Sequence, residues 1–193
     1  MKILMTLIFA GIFTNNIITA NLLGIDSLHY SKKESFSSAL KNCALLTALL
    51  FVSSAVTYPV FKWVLAPLKL GYLSALVYVI LISLILFAVR FLSGKFLPKL
   101  YSFLNTFLKT KTGLPIVFGL CLLNTGNEII TSYPLALLYS VITGLGFTLT
   151  TVIFISVHRR LAESDIPQII SGLPMTLIIA ALISLAFGGF AGI

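Results

Sequence analysis

Charged residues are scarce in this chain of 193 residues: only 9% are Asp, Glu, Lys or Arg, while 59% are hydrophobic. Soluble domains average about 25% charged residues, so the composition excludes an ordinary soluble protein. The mean hydropathy of +1.09 indicates an integral membrane protein. The length suits one helical bundle, and we predict a single integral membrane domain over residues 1–193.

Cysteine is also scarce, with only Cys43 and Cys121 in the chain. Their separation matches no zinc or thiol-redox motif, so we predict buried free thiols. The sequence lacks a glycine-rich phosphate loop and a nucleophile with a nearby histidine base, which argues against a self-contained enzyme. Acidic residues number five against thirteen Lys and Arg. In a membrane protein, such a basic excess encodes orientation rather than nucleic-acid binding.

Apolar segments dominate the rest of the chain, and crossing a hydrocarbon core of about 30 Å takes about 20 such residues. Segment 1 is interrupted by Thr14, Asn15 and Asn16, and segment 4 is interrupted at residues 109–113. We therefore predict an all-α membrane protein with six transmembrane helices, of which the first and fourth are broken into half-helices. The six segments cover residues 3–25, 38–61, 71–92, 100–124, 134–157 and 169–190.

Basic residues divide unevenly between the two sides of the predicted membrane. The first, third and fifth loops carry 3 + 5 + 2 = 10 of them, against 1 + 2 + 0 = 3 on the other side. The positive-inside rule then places both termini outside. Because each half of the chain has an odd number of spans, the halves form inverted repeats, about 1–98 and 99–193. Interrupted segments at matching positions of such repeats point to a site at the membrane midplane.

The first segment raises the question of where Asp26 lies. A continuous helix from Ile3 would carry Asp26 about 34 Å along its axis, which makes it an ordinary residue at the membrane edge. A break at Asn15 and Asn16 would leave Asp26 near mid-depth, where a carboxylate costs about 2.5–3.5 kcal/mol. The paired amides favour the break, since they can satisfy freed backbone groups. The candidate ion path comprises Asn15, Asn16, Asn21 and Asp26.

The N-terminus allows a second interpretation. Lys2 followed by an apolar run, with small residues up to Ala20, resembles a signal peptide. The apolar pattern continues to Ile25, however, with no change of character after the potential cleavage point.

Short motifs stand in a characteristic order along nearly the whole chain, and their order and spacing resemble the Rnf and Nqr membrane-subunit family, most closely its Rnf A (Rsx A) and Nqr E type. The motifs are "NN" at 15–16, "LG" at 23–24, "SKK" at 31–33, "PLKLGYL" at 67–73, "LPKLY" at 97–101, "LLN" at 122–124, "LGFTLTTVIFISVHRRLAESDIP" at 145–167 and "LISLAFGGFAG" at 182–192.

The resemblance implies six helices in two inverted halves, and it implies that the first helix is kept rather than cleaved. It also implies a partner, a homologous subunit of opposite orientation. In the family this pair holds a two-iron, two-sulfur cluster at the midplane, and each member of the pair supplies one Cys from each of its two helix breaks. The complex moves electrons between ferredoxin, NADH or a quinone and couples them to sodium or proton transport across the prokaryotic cytoplasmic membrane.

This sequence departs from the family at the positions of the cluster ligands. Asp26 and Pro115 stand where the resemblance places the two cysteines. Carboxylate is a harder, less typical iron ligand, and proline has no donor atom. We therefore expect the cluster to be absent and no cofactor to be bound by this chain alone. It would supply an ion path or a scaffold within a redox complex. The alternative is a stand-alone small ion or solute transporter with Asp26 as its ion site.

Overall fold

A computed structural model describes residues 2–24, 36–96, 113–127, 129–162 and 172–192. These parts of the chain contain helices and turns and no strand, which confirms the all-α prediction. Asp26 lies outside the described residues. The helices are α1 (Lys2–Phe9), extended by a π turn at Ala10–Thr14; α2 (Phe36–Val60), extended by a π turn at Phe61–Leu65; α3 (Ser74–Phe96), preceded by a 3-10 turn at Gly71–Leu73; α4 (Gly113–Gly126); α5 (Tyr133–Ala162); and α6 (Leu173–Gly188), followed by a 3-10 turn at Gly189–Gly192.

Helix length separates the described helices into two groups. Three are long and apolar enough to cross a membrane: Phe36–Leu65, Gly71–Phe91 and Tyr133–Leu161. Three shorter apolar helices cover Met5–Thr14, Leu114–Gly126 and Leu173–Gly188. The apolar segments 2 and 5 lie within longer helical stretches, which continue to Leu65 and Ala162. Basic side chains can extend to the interface while their backbone stays helical, so the helix continues beyond the apolar run.

One compact unit consists of Met1–Thr47 and Ile142–Ile193. Within it, α6 packs against the π turn that follows α1. Phenylalanine rings join these elements, with centroids 5.4 Å apart for Phe13 and Phe187 and 5.1 Å apart for Phe13 and Phe190. Such ring pairs add to the energy of simple area burial.

Small residues of α5 permit close helix packing in the same unit. A Cβ atom added at Gly146 would lie 2.7 Å from the Gly11 carbonyl oxygen, and one at Gly144 would lie 2.6 Å from Thr47 Oγ1. Both separations are too short for a side chain. The backbone of α5 therefore approaches the π turn at a distance that only glycine allows.

The second compact unit consists of Ala48–Val141, in which α3 packs against α4. Its core includes Tyr78 of α3 and Val117, Leu120 and Cys121 of α4, all fully buried. Polar side chains of α2 enter the same interior, because Ser54 and Thr57 are each at most 1% exposed.

Candidate functional site

The first helix ends where the sequence predicted an interruption. The π turn closes with a hydrogen bond of 2.6 Å from the Asn15 N–H to the Ala10 carbonyl oxygen, and turns follow to Gly24. Two residues in these turns, Leu22 and Gly24, have φ angles of 54° and 83°. Left-handed conformations of this kind cannot continue an α-helix. The described part of segment 1 is therefore a short helix followed by irregular backbone.

Asn16 holds the end of this helix through three hydrogen bonds. Its Nδ2 donates to the Ile12 carbonyl oxygen at 2.8 Å and to Thr150 Oγ1 of α5 at 2.9 Å. Its Oδ1 accepts the Ile18 N–H at 3.0 Å. Asn16 is completely buried, and a helix end buried in an apolar setting needs such partners for its freed backbone groups. The Asn16 side-chain amide thus hydrogen-bonds to the backbone on both sides of the break and to a side chain of α5.

The predicted ion-path residues are not brought together by the described structure. Asn16 is buried, whereas Asn15 and Asn21 are exposed. Asp26, the only acidic member, lies outside the described residues. The described part of the path thus supplies one buried amide, and the ion role of the four residues stays a prediction.

A second buried asparagine, which is not among the predicted site residues, lies near the end of α4. Asn124 is 1% exposed, and its Nδ2 donates to Ser54 Oγ of α2 at 2.7 Å. Ser54 in turn donates to the Ala136 carbonyl oxygen at 3.2 Å. Asn124 Oδ1 has no hydrogen-bond partner among the described residues. The available signal was the motif "LLN", in which an amide ends an apolar run.

The donor atoms around α4 differ from the set that an iron–sulfur cluster requires. Pro115 lies in the first turn of α4 and offers no ligand atom. Cys121 is a free thiol six positions further on, and it is fully buried and accepts a hydrogen bond from Thr57 Oγ1 at 3.4 Å. Cys43 is also free and buried, so the predicted state of both thiols is confirmed. The described donors therefore do not fit a cysteine-ligated cluster.

These features define a helical membrane protein whose first helix is broken and whose break is held by buried amide–hydroxyl contacts. Comparison with known proteins identifies the family. The sequence model of the Rnf-Nqr subunit family of membrane proteins matches residues 4–193, and the chain belongs to this family. It is an Rnf-type membrane subunit.

Similar proteins in three bacteria agree with this assignment. The chain is 34% identical over 191 residues to the A-type subunit of the Na⁺-translocating ferredoxin:NAD⁺ oxidoreductase complex of Acetobacterium woodii, covering 97% of this chain and 98% of that protein. It is 33% identical to the A-type subunit of the ion-translocating oxidoreductase complex of an Azoarcus species, covering 97% and 95%. The corresponding protein of Psychromonas ingrahamii is also 33% identical, covering 97% and 96%.

Proposed function

We propose that this chain is a membrane subunit of an Rnf-type ion-translocating electron transport complex that contributes an ion path or scaffold without ligating an iron–sulfur cluster. Its relatives bear the names of such complexes. The observation that carries the proposal is Pro115, a residue without a donor atom in the first turn of α4. It occupies the position where the family resemblance puts a cysteine ligand.

An inverted repeat of two three-helix halves is part of this proposal, and the composition of the two compact units supports it. The first unit combines α1 with α6, and the second combines α4 with α3. In an inverted repeat, helices 1, 2 and 3 correspond to helices 4, 5 and 6. The pairing of α1 with α6 therefore corresponds to the pairing of α4 with α3.

The buried asparagines show the same correspondence between the two halves of the chain. Asn16, at the end of the first helix, donates to a hydroxyl of the fifth helix, Thr150. Asn124, near the end of the fourth helix, donates to a hydroxyl of the second helix, Ser54. Each of the two asparagines thus bonds to the long helix of the other half, which is the relation that a repeat predicts. The predicted interruption of segment 4 before Gly113 lies outside the described residues.

The partners follow from the proposed complex. We infer a homologous membrane subunit of opposite orientation and further redox subunits, all in the cytoplasmic membrane of a prokaryote. The positive-inside count supports both termini on the outer side, with Lys62 and Lys69 also outside and Arg159 and Arg160 in the cytoplasm.

Iron analysis of the purified complex tests the cluster part of the proposal. The tagged full-length chain is purified from its own membrane, once with its native thiols and once with Cys43→Ser and Cys121→Ser together. We expect the same iron content and the same visible spectrum in both, because neither thiol is a ligand. A loss of iron in the double variant would show that this chain holds a cluster. Purification of the tagged chain without any flavin- or iron-containing subunit would contradict its membership of a redox complex.

A further inference from the structure

One face of α2 and its π turn carries a column of polar residues spaced four apart. Ser54, Tyr58 and Lys62 follow one another at the interval of about one helical turn, so the column is about 12 Å long. Ser54 bonds to Asn124, as described above. Tyr58 Oη donates to the Ile130 carbonyl oxygen at 3.2 Å, and Lys62 Nζ donates to the Thr131 carbonyl oxygen at 2.9 Å. Tyr58 and Lys62 are therefore bonded to the segment that connects α4 to α5.

Residues 129–132, here called the strap, form the part of this connection to which Tyr58 and Lys62 donate their hydrogen bonds. Ile130 in the strap is buried, and its N–H donates to the Asn127 carbonyl oxygen at 3.1 Å. The Lys62 ammonium also lies 5.9 Å from the centre of the Tyr58 ring. Just after the strap, Tyr133 Oη donates to the Ala55 carbonyl oxygen at 3.4 Å. Side chains of α2 and its π turn thus bond to carbonyl oxygens of the strap, and the first residue of α5 bonds back to α2.

Buried polar groups lie deeper along α2 than the strap does. Ser54 is one turn before Tyr58 and two turns before Lys62, so the strap contacts lie about 6 and 12 Å nearer the end of the helix. At the depth of Ser54, the Asn124 side chain is enclosed and its Oδ1 has no partner among the described residues. A buried acceptor without a partner costs free energy, and opening of the site would supply it with a donor from water or from a hydrated ion.

The equivalent column of the other compact unit is built differently. Thr150, Phe154 and His158 of α5 repeat the order hydroxyl, aromatic ring, basic side chain at the same spacing. The Phe154 and His158 rings stack with their centroids 6.0 Å apart. Phenylalanine has no hydroxyl group, so this column cannot make the hydrogen bond that Tyr58 makes.

We propose that the strap is a gate, held shut by Tyr58 and Lys62, which controls access from one end of the second unit to the buried amide of Asn124. This proposal rests on and deepens the proposed function, since it makes the strap the entrance to a second candidate ion site, at Asn124. Its test uses no transport measurement, so failure of the gate and failure of the proposed function can be distinguished.

Cys121 is a built-in reporter for opening of the gate. It lies one turn before Asn124 in α4 and is fully buried. With Cys43→Ala, it is the only thiol of the chain. A buried thiol is labelled by a maleimide only during local opening, so its rate follows the population of the open state. In native membranes, we expect Lys62→Met to label about five- to tenfold faster and Tyr58→Phe about threefold faster, as the loss of one hydrogen bond predicts.

Lys69→Met is the matched control, because Lys69 is an exposed lysine after the same helix and outside the column. Circular dichroism and elution volume verify that every variant is folded. Equal labelling rates in the Lys62, Tyr58 and Lys69 variants would overturn the proposal. Rapid labelling of Cys121 in the otherwise unchanged folded chain would also overturn it, since the strap would then not be closed.

Discussion

Replacing Asn16 with alanine should destabilise the protein far more than the same change at its neighbour Asn15. The Asn16 side chain makes three hydrogen bonds while completely buried, whereas Asn15 is exposed. The hydrogen bond of Asn15 to the Ala10 carbonyl oxygen uses its backbone N–H, which alanine retains. Both variants make the same Asn→Ala change at adjacent positions, and only Asn16→Ala removes buried side-chain hydrogen bonds.

The magnitude follows from the groups that Asn16→Ala leaves behind. The Ile12 carbonyl oxygen and the Ile18 N–H both lose their bonds to the side chain, and Ile18 is 1% exposed. Each buried polar group without a partner costs about 1–3 kcal/mol. Because adjacent losses are not additive, we expect about 3 kcal/mol in total. For a chain of 193 residues, each kcal/mol lowers Tm by about 2–4 °C, which predicts a decrease of about 6–12 °C.

Thermal unfolding in one detergent, followed by far-ultraviolet circular dichroism, measures both variants under the same conditions. Asn15→Ala should stay close to the unchanged protein, since exposed substitutions usually alter stability by less than about 0.5 kcal/mol. Equal Tm values for the two variants would refute the conclusion that the Asn16 amide holds the break.

Two further changes test the surroundings of this amide. Gly146→Ala should lower Tm by several degrees, because overpacking against the Gly11 carbonyl costs about 1–3 kcal/mol. Gly126→Ala is the control, since a Cβ atom there has open space. A smaller decrease in Tm for Gly146→Ala than for Gly126→Ala would contradict the close packing. Thr150→Val should destabilise the protein and Thr150→Ser should not, since only serine keeps the acceptor for Asn16; equal unfolding curves for these two variants would show that the hydroxyl is unimportant.

The sequence predicted the helix break but not what holds it. Polar residues inside an apolar segment located the interruption, and the structure ends the first helical stretch at Thr14. Which of the two asparagines is buried depends on how the last helical turn is oriented towards the protein interior. Two adjacent identical residues do not reveal this orientation. The partner Thr150 is 134 positions away, and a threonine in an apolar helix ordinarily bonds to its own backbone. Thr150 does this too, through the Gly146 carbonyl oxygen, so its second role was not visible in the sequence.

The contacts of α2 were hidden for a different reason. Hydropathy ended segment 2 at residue 61, which assigned Lys62 to a loop, whereas helical structure continues to Leu65. Only with that extension do Ser54, Tyr58 and Lys62 form one face. Helix boundaries in membrane proteins depend on backbone hydrogen bonds, and those continue beyond the point where apolar side chains stop.

Buried hydrogen bonds join the described helices within each compact unit. A metal site usually contributes folding energy by joining elements that have no other strong contact. Here the elements are joined by the protein's own groups, with Asn16 bonded to α5 and Asn124 bonded to α2. Pro115 is compatible with this arrangement, because the first-turn N–H groups of a helix have no intrahelical acceptor. Proline is tolerated in the first turn of a helix, and its fixed φ favours the start of α4. The buried hydrogen bonds of Asn16 and Asn124 thus stabilise the described parts of segments 1 and 4, which is compatible with the proposal that this subunit does not ligate a cluster.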